Sequence, residues 1–194
     1  MQRAKNWTKA KKSVLDNILR DFMPKIRAVF KGKITYAALA AENINYDIFD
    51  YIGLNYYRHF CDIRYRNRLI KLFNQYKKKI IITEFGTCAY RFASLLNGAA
   101  FYPIQELRIH EKPFLKWLII PDEKEQVRCL KRCFGSFEKA NVEGAFIFDY
   151  AEKWKICNKE RRNMDLASFG IMKAYKNRTI KPKAAFHYIK KYYA

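Results

Sequence analysis

The stretch "KKKIIITEFGTCAYR", residues 77–91, sets three lysines before a short isoleucine run and places a glutamate, Glu84, where that run stops. A β-branched run followed by polar residues and a glycine predicts a central, buried strand that delivers a side chain to one end of a sheet. Glu84 is an acid at a strand end in a chain poor in acids, where 39 Lys and Arg face 18 Asp and Glu for a formal charge of +21. Its neighbours in sequence decide what kind of sheet this is.

On the N-terminal side, residues 64–77 read as a helix with Tyr65, Leu69, Leu72, Phe73 and Tyr76 on one face. Before it come a strand near 49–55, inside "YDIFDYIGLNYYRHF", and an earlier one at 34–39, "ITYAAL". Residues 7–30 carry a wide apolar stripe at 15, 18, 19, 22, 23, 26, 29 and 30, and Pro24 inside it predicts a kink or a division into two helices. On the C-terminal side, residues 85–121 read as irregular, and a connection of that length in a compact domain is functional or partly helical. "PDEKEQ" then opens a helix with Asp122 as N-cap and Glu125 as its reciprocal partner, burying Val127, Leu130, Phe134 and Phe137. "VEGAFIFDY" (142–150) is a fourth strand, and "KPKAAFHYIKKYYA" a closing helix with Pro182 near its first turn. Apolar strands alternating with helices predict a parallel sheet, covered on at least one face, in a single domain of four strands.

No stretch reaches the roughly 18 apolar residues of a membrane span, and the N-terminus "MQRAKNWTKAKKS" has no apolar centre like a secretory signal's. The expectation is a cytoplasmic protein with no membrane partner. Five cysteines are scattered, and "CLKRC" (129–133) reads as core-facing thiols with a solvated lysine between them. Neither a metal site nor a cofactor is expected. The positive charge suits a polyanion, but it is spread along the chain without a helix-turn-helix, zinc finger or arginine-rich run, so nucleic acid is the less favoured partner.

Chemistry in parallel α/β folds gathers at the carboxyl ends of the strands, where the loops converge. Those ends carry Glu42; then Asn55, Tyr56, Tyr57, Arg58 and His59; then Glu84, Thr87, Tyr90 and Arg91; then Asp149, Tyr150, Glu152 and Trp154. Carboxylate, phenol, guanidinium and indole together suit a sugar, whose hydroxyls need polar partners and whose ring face needs an aromatic platform. His59, His110 and His187 read as loop, surface or packing residues.

The blocks "FDYIGLNYYR", "IIITEFGTCAYR", "VEGAFIFDY" and "MDLASFGIMK" followed by "KPKAAFHYI" resemble the C-terminal half of a (β/α)8-barrel glycoside hydrolase of the retaining type. More narrowly they look like bacterial glycosidase-like barrels known as abortive infection proteins. The resemblance covers about residues 10–193 and implies an α/β fold corresponding to strands five to eight of a TIM-type barrel, a single partial domain over 1–194. It implies that Glu84 is the nucleophile, that Tyr56 or Tyr57 is the phenol that holds it, and that Trp154 is a platform. Asn55, Arg58, Tyr90 and Arg91 complete the implied substrate-binding set. Retaining hydrolysis also needs an acid/base carboxyl about 5–5.5 Å from the nucleophile. In such barrels it is the glutamate of an Asn-Glu pair ending strand four, and no such pair ends a strand here. The expectation is therefore a carbohydrate-directed half-site, inactive alone, that a complementing chain or a second copy in a homodimer completes. The alternative is a non-catalytic basic module that binds nucleic acid or an anionic glycan.

Overall fold

A computed structural model describes residues 2–39, 42, 44–57, 62–104, 119–157 and 163–194. Helix α1 (Gln2–Val29) leads to β1 (Ala37–Ala38), β2 (Ile52–Asn55), helix α2 (Asp62–Tyr76) and β3 (Ile80–Phe85). A short helix α3 (Ala93–Leu96), the long helix α4 (Glu123–Lys139), β4 (Gly144–Ile147), the hairpin β5 (Met172–Ala174) and β6 (Ile180–Pro182), and helix α5 (Ala184–Tyr192) come next. Strands β1 to β4 form one sheet in sequence order, and every neighbouring pair is parallel. The expected parallel sheet with its strand ends on one side is therefore present.

One face of this sheet is covered by helices. Ile52, Leu54, Ile80, Ile82 and Phe85 pack with Ala145 and Ile147 against Leu15, Leu19 and Met23 of α1, Leu69 and Leu72 of α2, and Leu130, Phe134 and Phe137 of α4. The cysteines of "CLKRC" point into this core, as their spacing predicts. The opposite face carries Gly53, Asn55, Ile81, Thr83 and Phe146, and Phe146 is 64 % exposed. A second, smaller core lies beyond the carboxyl ends, where Cys88, Tyr90, Ala93, Ala100, Ile104, Ala167 and Phe169 cluster. The stretch read as irregular is thus partly helical and has a core of its own.

Several expectations need correction. The helix runs on through Pro24 without dividing, and its stripe is only partly used, because Ile18, Phe22, Ile26, Val29 and Phe30 stay exposed. Strand β1 is two residues long because side chains occupy the groups a longer ladder would use: the Ile34 N–H donates to the Asp50 carboxylate, and the Thr35 hydroxyl to the Tyr51 carbonyl. At Gly53 this crossing is so close that a Cβ would lie 2.5 Å from both Thr35 Oγ1 and the Tyr36 carbonyl. Strand β4 ends early because the chain changes partners: Phe148 still bonds Phe85, but Asp149 and Tyr150 accept from Ile171 and Met172.

Asp122 caps α4 as expected, accepting from the Lys124 N–H, but Glu125 does not reach back. The Asp122 N–H is already taken by the Ala89 carbonyl, and Glu125 instead binds Ser94 and Arg128. Pro182 ends β6 rather than opening the last helix, and the hairpin it closes was not anticipated. Helix α5 has no side-chain cap of its own. A carboxylate from α4 substitutes, Glu123 accepting from the Ala184 N–H at 2.7 Å.

Candidate active site

The geometry around Glu84 begins with an irregularity in β3. Ile82 pairs with Ala145, but the next matched pair is Phe85 with Ile147, so β3 carries one extra residue against β4. Strict alternation would put Ile82 and Glu84 on the same, helix-covered face. The bulge breaks that parity: Ile82 and Phe85 are both fully buried in the core, while Thr83 and Glu84 between them stay half-buried. Bulges re-aim side chains beside functional sites in this way. Thr83 donates to Asn55 Oδ1 at 2.7 Å, and Glu84 receives the Tyr57 hydroxyl at 2.8 Å.

The two tyrosines that the sequence could not separate part company. Tyr57 faces the mouth and holds Glu84. Tyr56 is buried and packs edge-on against Phe137, with ring centroids 5.0 Å apart, in the helix-covered core. Burial first, and then the hydrogen bond to the Glu84 carboxylate, push the Tyr57 phenol well above its ordinary range, so it remains a donor at any physiological pH.

The remaining expected residues divide. Asn55 lies at the mouth beside Glu84 in register. Trp154, on the segment leaving β4, is 74 % exposed and stands clear of the core. Tyr90 does not face the mouth: it is buried in the smaller core and donates to the Ala100 carbonyl, bracing the loop after β3. Arg91 is exposed, and its backbone N–H bonds Ile120 across that loop. Arg58, His59 and His110 lie outside the described residues.

Other acids near the strand ends have bonds of their own. Glu42 accepts from the Leu39 N–H, Asp149 from the Tyr150 N–H, and Glu152 from the Phe169 N–H and Lys155. Burial drives the Cys88 thiol far up, against the pull of Lys155 and Lys183, which leaves it inert as a nucleophile. Among the described residues no group of three or more His, Cys, Asp or Glu could hold a metal ion, and no helix is long and apolar enough to cross a membrane.

Charge is segregated across the fold. Residues 34–57, 80–90 and 140–152, which supply the parallel sheet and its ends, contain no Lys or Arg. Many of the basic residues belong to the helices, while Lys173 and Lys181 lie in the hairpin and Lys155 and Lys183 are buried. What sequence reasoning missed at the mouth is the buried Glu152–Lys155 pair and Phe169. A glutamate and a lysine three residues apart carry no sign of burial, and an aromatic in "LASFG" reads like any other core residue.

Parallel strands in sequence order, with helices on one face among the described residues and polar side chains at the carboxyl ends, define part of a TIM-type (β/α)8 barrel. Among solved structures the chain is similar to a GH113 β-1,4-mannanase solved as a complex, with a TM-score of 0.64 and 17% sequence identity over 92% of this chain. The match takes in 50% of the mannanase chain, so this chain spans about half the length of that neighbour. At that identity the likeness is one of fold. No protein-family model matches the sequence, and no curated protein matches it either.

Proposed function

We propose that the chain is the strand-five-to-eight half of a retaining glycoside hydrolase-like barrel, with Glu84 as its nucleophile. The observation that carries this reading is the Tyr57–Glu84 pair: a carboxylate re-aimed by a bulge to the mouth end of a parallel strand and held there by a phenol. Asn55 is positioned to meet a sugar hydroxyl, and Trp154 offers an exposed indole face for a pyranose. The β-mannan of the structural neighbour is the first substrate to try.

In the double displacement, a Glu84 oxygen attacks the anomeric carbon as the leaving oxygen takes a proton from an acid/base carboxyl. Water, deprotonated by that same group, then releases the sugar from Glu84. No Asn-Glu pair ends a strand of this half, so a complementing set of strands supplies the group, from another chain or a second copy.

The isolated chain is expected not to turn over aryl β-mannosides. A glycosyl fluoride needs no acid to leave, so a 2-deoxy-2-fluoro-β-mannosyl fluoride tests the nucleophile alone. A covalent adduct on the Glu84 peptide by mass spectrometry, lost in Glu84→Gln, is the expected result. No adduct on the folded chain overturns the assignment, and aryl-mannoside turnover abolished by Glu84→Gln overturns the incompleteness.

The charge of +21 favours a second reading, a polyanion-binding module that uses the basic helices. It requires steeply salt-dependent retention on a nucleic-acid column, unchanged by Glu84→Gln.

A further inference from the structure

Beneath the mouth lies a charged pair in an unusual place for a loop. Glu152 and Lys155 lie beyond β4, and their side chains are 2 % and 10 % exposed, with Nζ 2.5 Å from Oε2. Removing two charges from water costs several kcal/mol per ion, and a neutral pair of similar size is often as stable. Packing alone does not call for charges here. What they hold is specific. Lys155 donates to the Ala167 carbonyl at 2.7 Å, and the other Glu152 oxygen accepts from the Phe169 N–H at 2.8 Å. Gln126, from α4, takes the Phe169 carbonyl at 3.0 Å. The backbone of Phe169 is thereby gripped at both its polar groups.

The Phe169 ring stands edge-on to Tyr57, with centroids 5.9 Å apart at 81°, and tilted to Phe148 at the end of β4, 5.8 Å away. Gly98 closes on Tyr57 as well: a Cβ there would come within 3.3 Å of the Tyr57 Cγ. Tyr57 therefore has little room to turn its hydroxyl away from Glu84.

We infer that Phe169, gripped by the buried Glu152–Lys155 pair, is a positioning residue that holds the Tyr57 hydroxyl on Glu84. The inference concerns this geometry and stands whether or not the mouth acts on a sugar. Glu152 works through the acceptor it offers to the Phe169 N–H, and Lys155 works by keeping that carboxylate in place.

Two double variants of equal charge test it. Glu152→Gln with Lys155→Met keeps a neutral acceptor for the Phe169 N–H, while Glu152→Leu with Lys155→Met removes it. The readout is the alkaline titration of Tyr57 followed by NMR on protein labelled with [13Cζ]tyrosine, the resonance assigned by Tyr57→Phe. The Gln/Met protein sets the reference acidity, because it has already lost the Glu152 charge that helps to raise the Tyr57 phenol. The Leu/Met protein is expected to be at least tenfold more acidic at Tyr57 than the Gln/Met protein, because the bond to Glu84 is lost while the burial remains. Equal acidity in the two proteins overturns the inference. Should the Leu/Met protein fail to fold, Phe169→Leu, which leaves every charge in place, serves instead: a tenfold rise supports the role and an unchanged titration overturns it.

Discussion

The two faces of the parallel sheet contrast sharply. On one, β-branched and aromatic residues are sealed under α1, α2, α4 and α5. On the other, glycine, asparagine, threonine and a largely exposed phenylalanine line the way to the mouth. Packing belongs to the first face, and the second carries the proposed chemistry. The helix-covered face holds the strands in register, and that register is what lets a single bulge turn Glu84 toward Tyr57. A change on the first face should register as lost folding free energy, and one on the second as altered binding or association.

The sharpest way to break this contrast is Phe85→Ala. Phe85 is fully buried and meets Phe134 and Phe137 edge-on, so truncation is expected to cost about 3–5 kcal/mol in denaturant unfolding. A cost below about 1 kcal/mol would mean that this face is not the one that holds the fold. Of intermediate size is the acid limb. Glu123 and Glu125 lie at the start of α4, and burial tends to raise both carboxyls. Hydrogen bonds from Lys173 and Ala184 to Glu123, and from Ser94 and Arg128 to Glu125, outweigh it and hold both below the ordinary 4.5. A carboxyl with a lowered folded pKa contributes stability that is fully present above its unfolded value and is lost as pH falls through its folded value. Thermal stability should therefore fall below about pH 4.5. Glu123→Gln should cost about 1 kcal/mol at pH 7 and nothing at about pH 3, flattening that limb in melts followed by circular dichroism. The smallest effect belongs to the open face. Phe146→Ser is expected to change stability by no more than about 0.5 kcal/mol while reducing self-association in sedimentation velocity. A large loss would show that this face is packed after all.

Much of the helix-covered face was legible in the chain itself, because period and length carry it. The isoleucine run reads as a strand, and the stripe on α4 faces the core at Leu130, Phe134 and Phe137, although Val127 stays half-buried outside it. The N-cap at Asp122 was readable for the same local reason, whereas its reciprocal partner was not: Ala89, distant in sequence, takes the N–H that Glu125 was expected to bind. The hairpin β5–β6 went unread because its strands are only three residues long and each centres on a lysine. The strand-end positions of Glu84 and Asn55 were legible because each closes an apolar run. Tyr90 was misplaced because a residue beyond a strand end faces either the opening or the loop's own core, and local sequence does not say which.

By itself, then, the sequence determined the order and direction of the strands, the covered face and the position of one acid at a strand end. These depend on periodicity and connection length, which are properties of neighbouring residues. Only the tertiary structure decided that Tyr57 rather than Tyr56 meets that acid, that β3 carries a bulge against β4, and that Glu152 and Lys155 lie buried under Phe169. Each of these depends on the register between strands or on contacts between segments far apart in the chain, and a shift of one residue there reverses which way a side chain points.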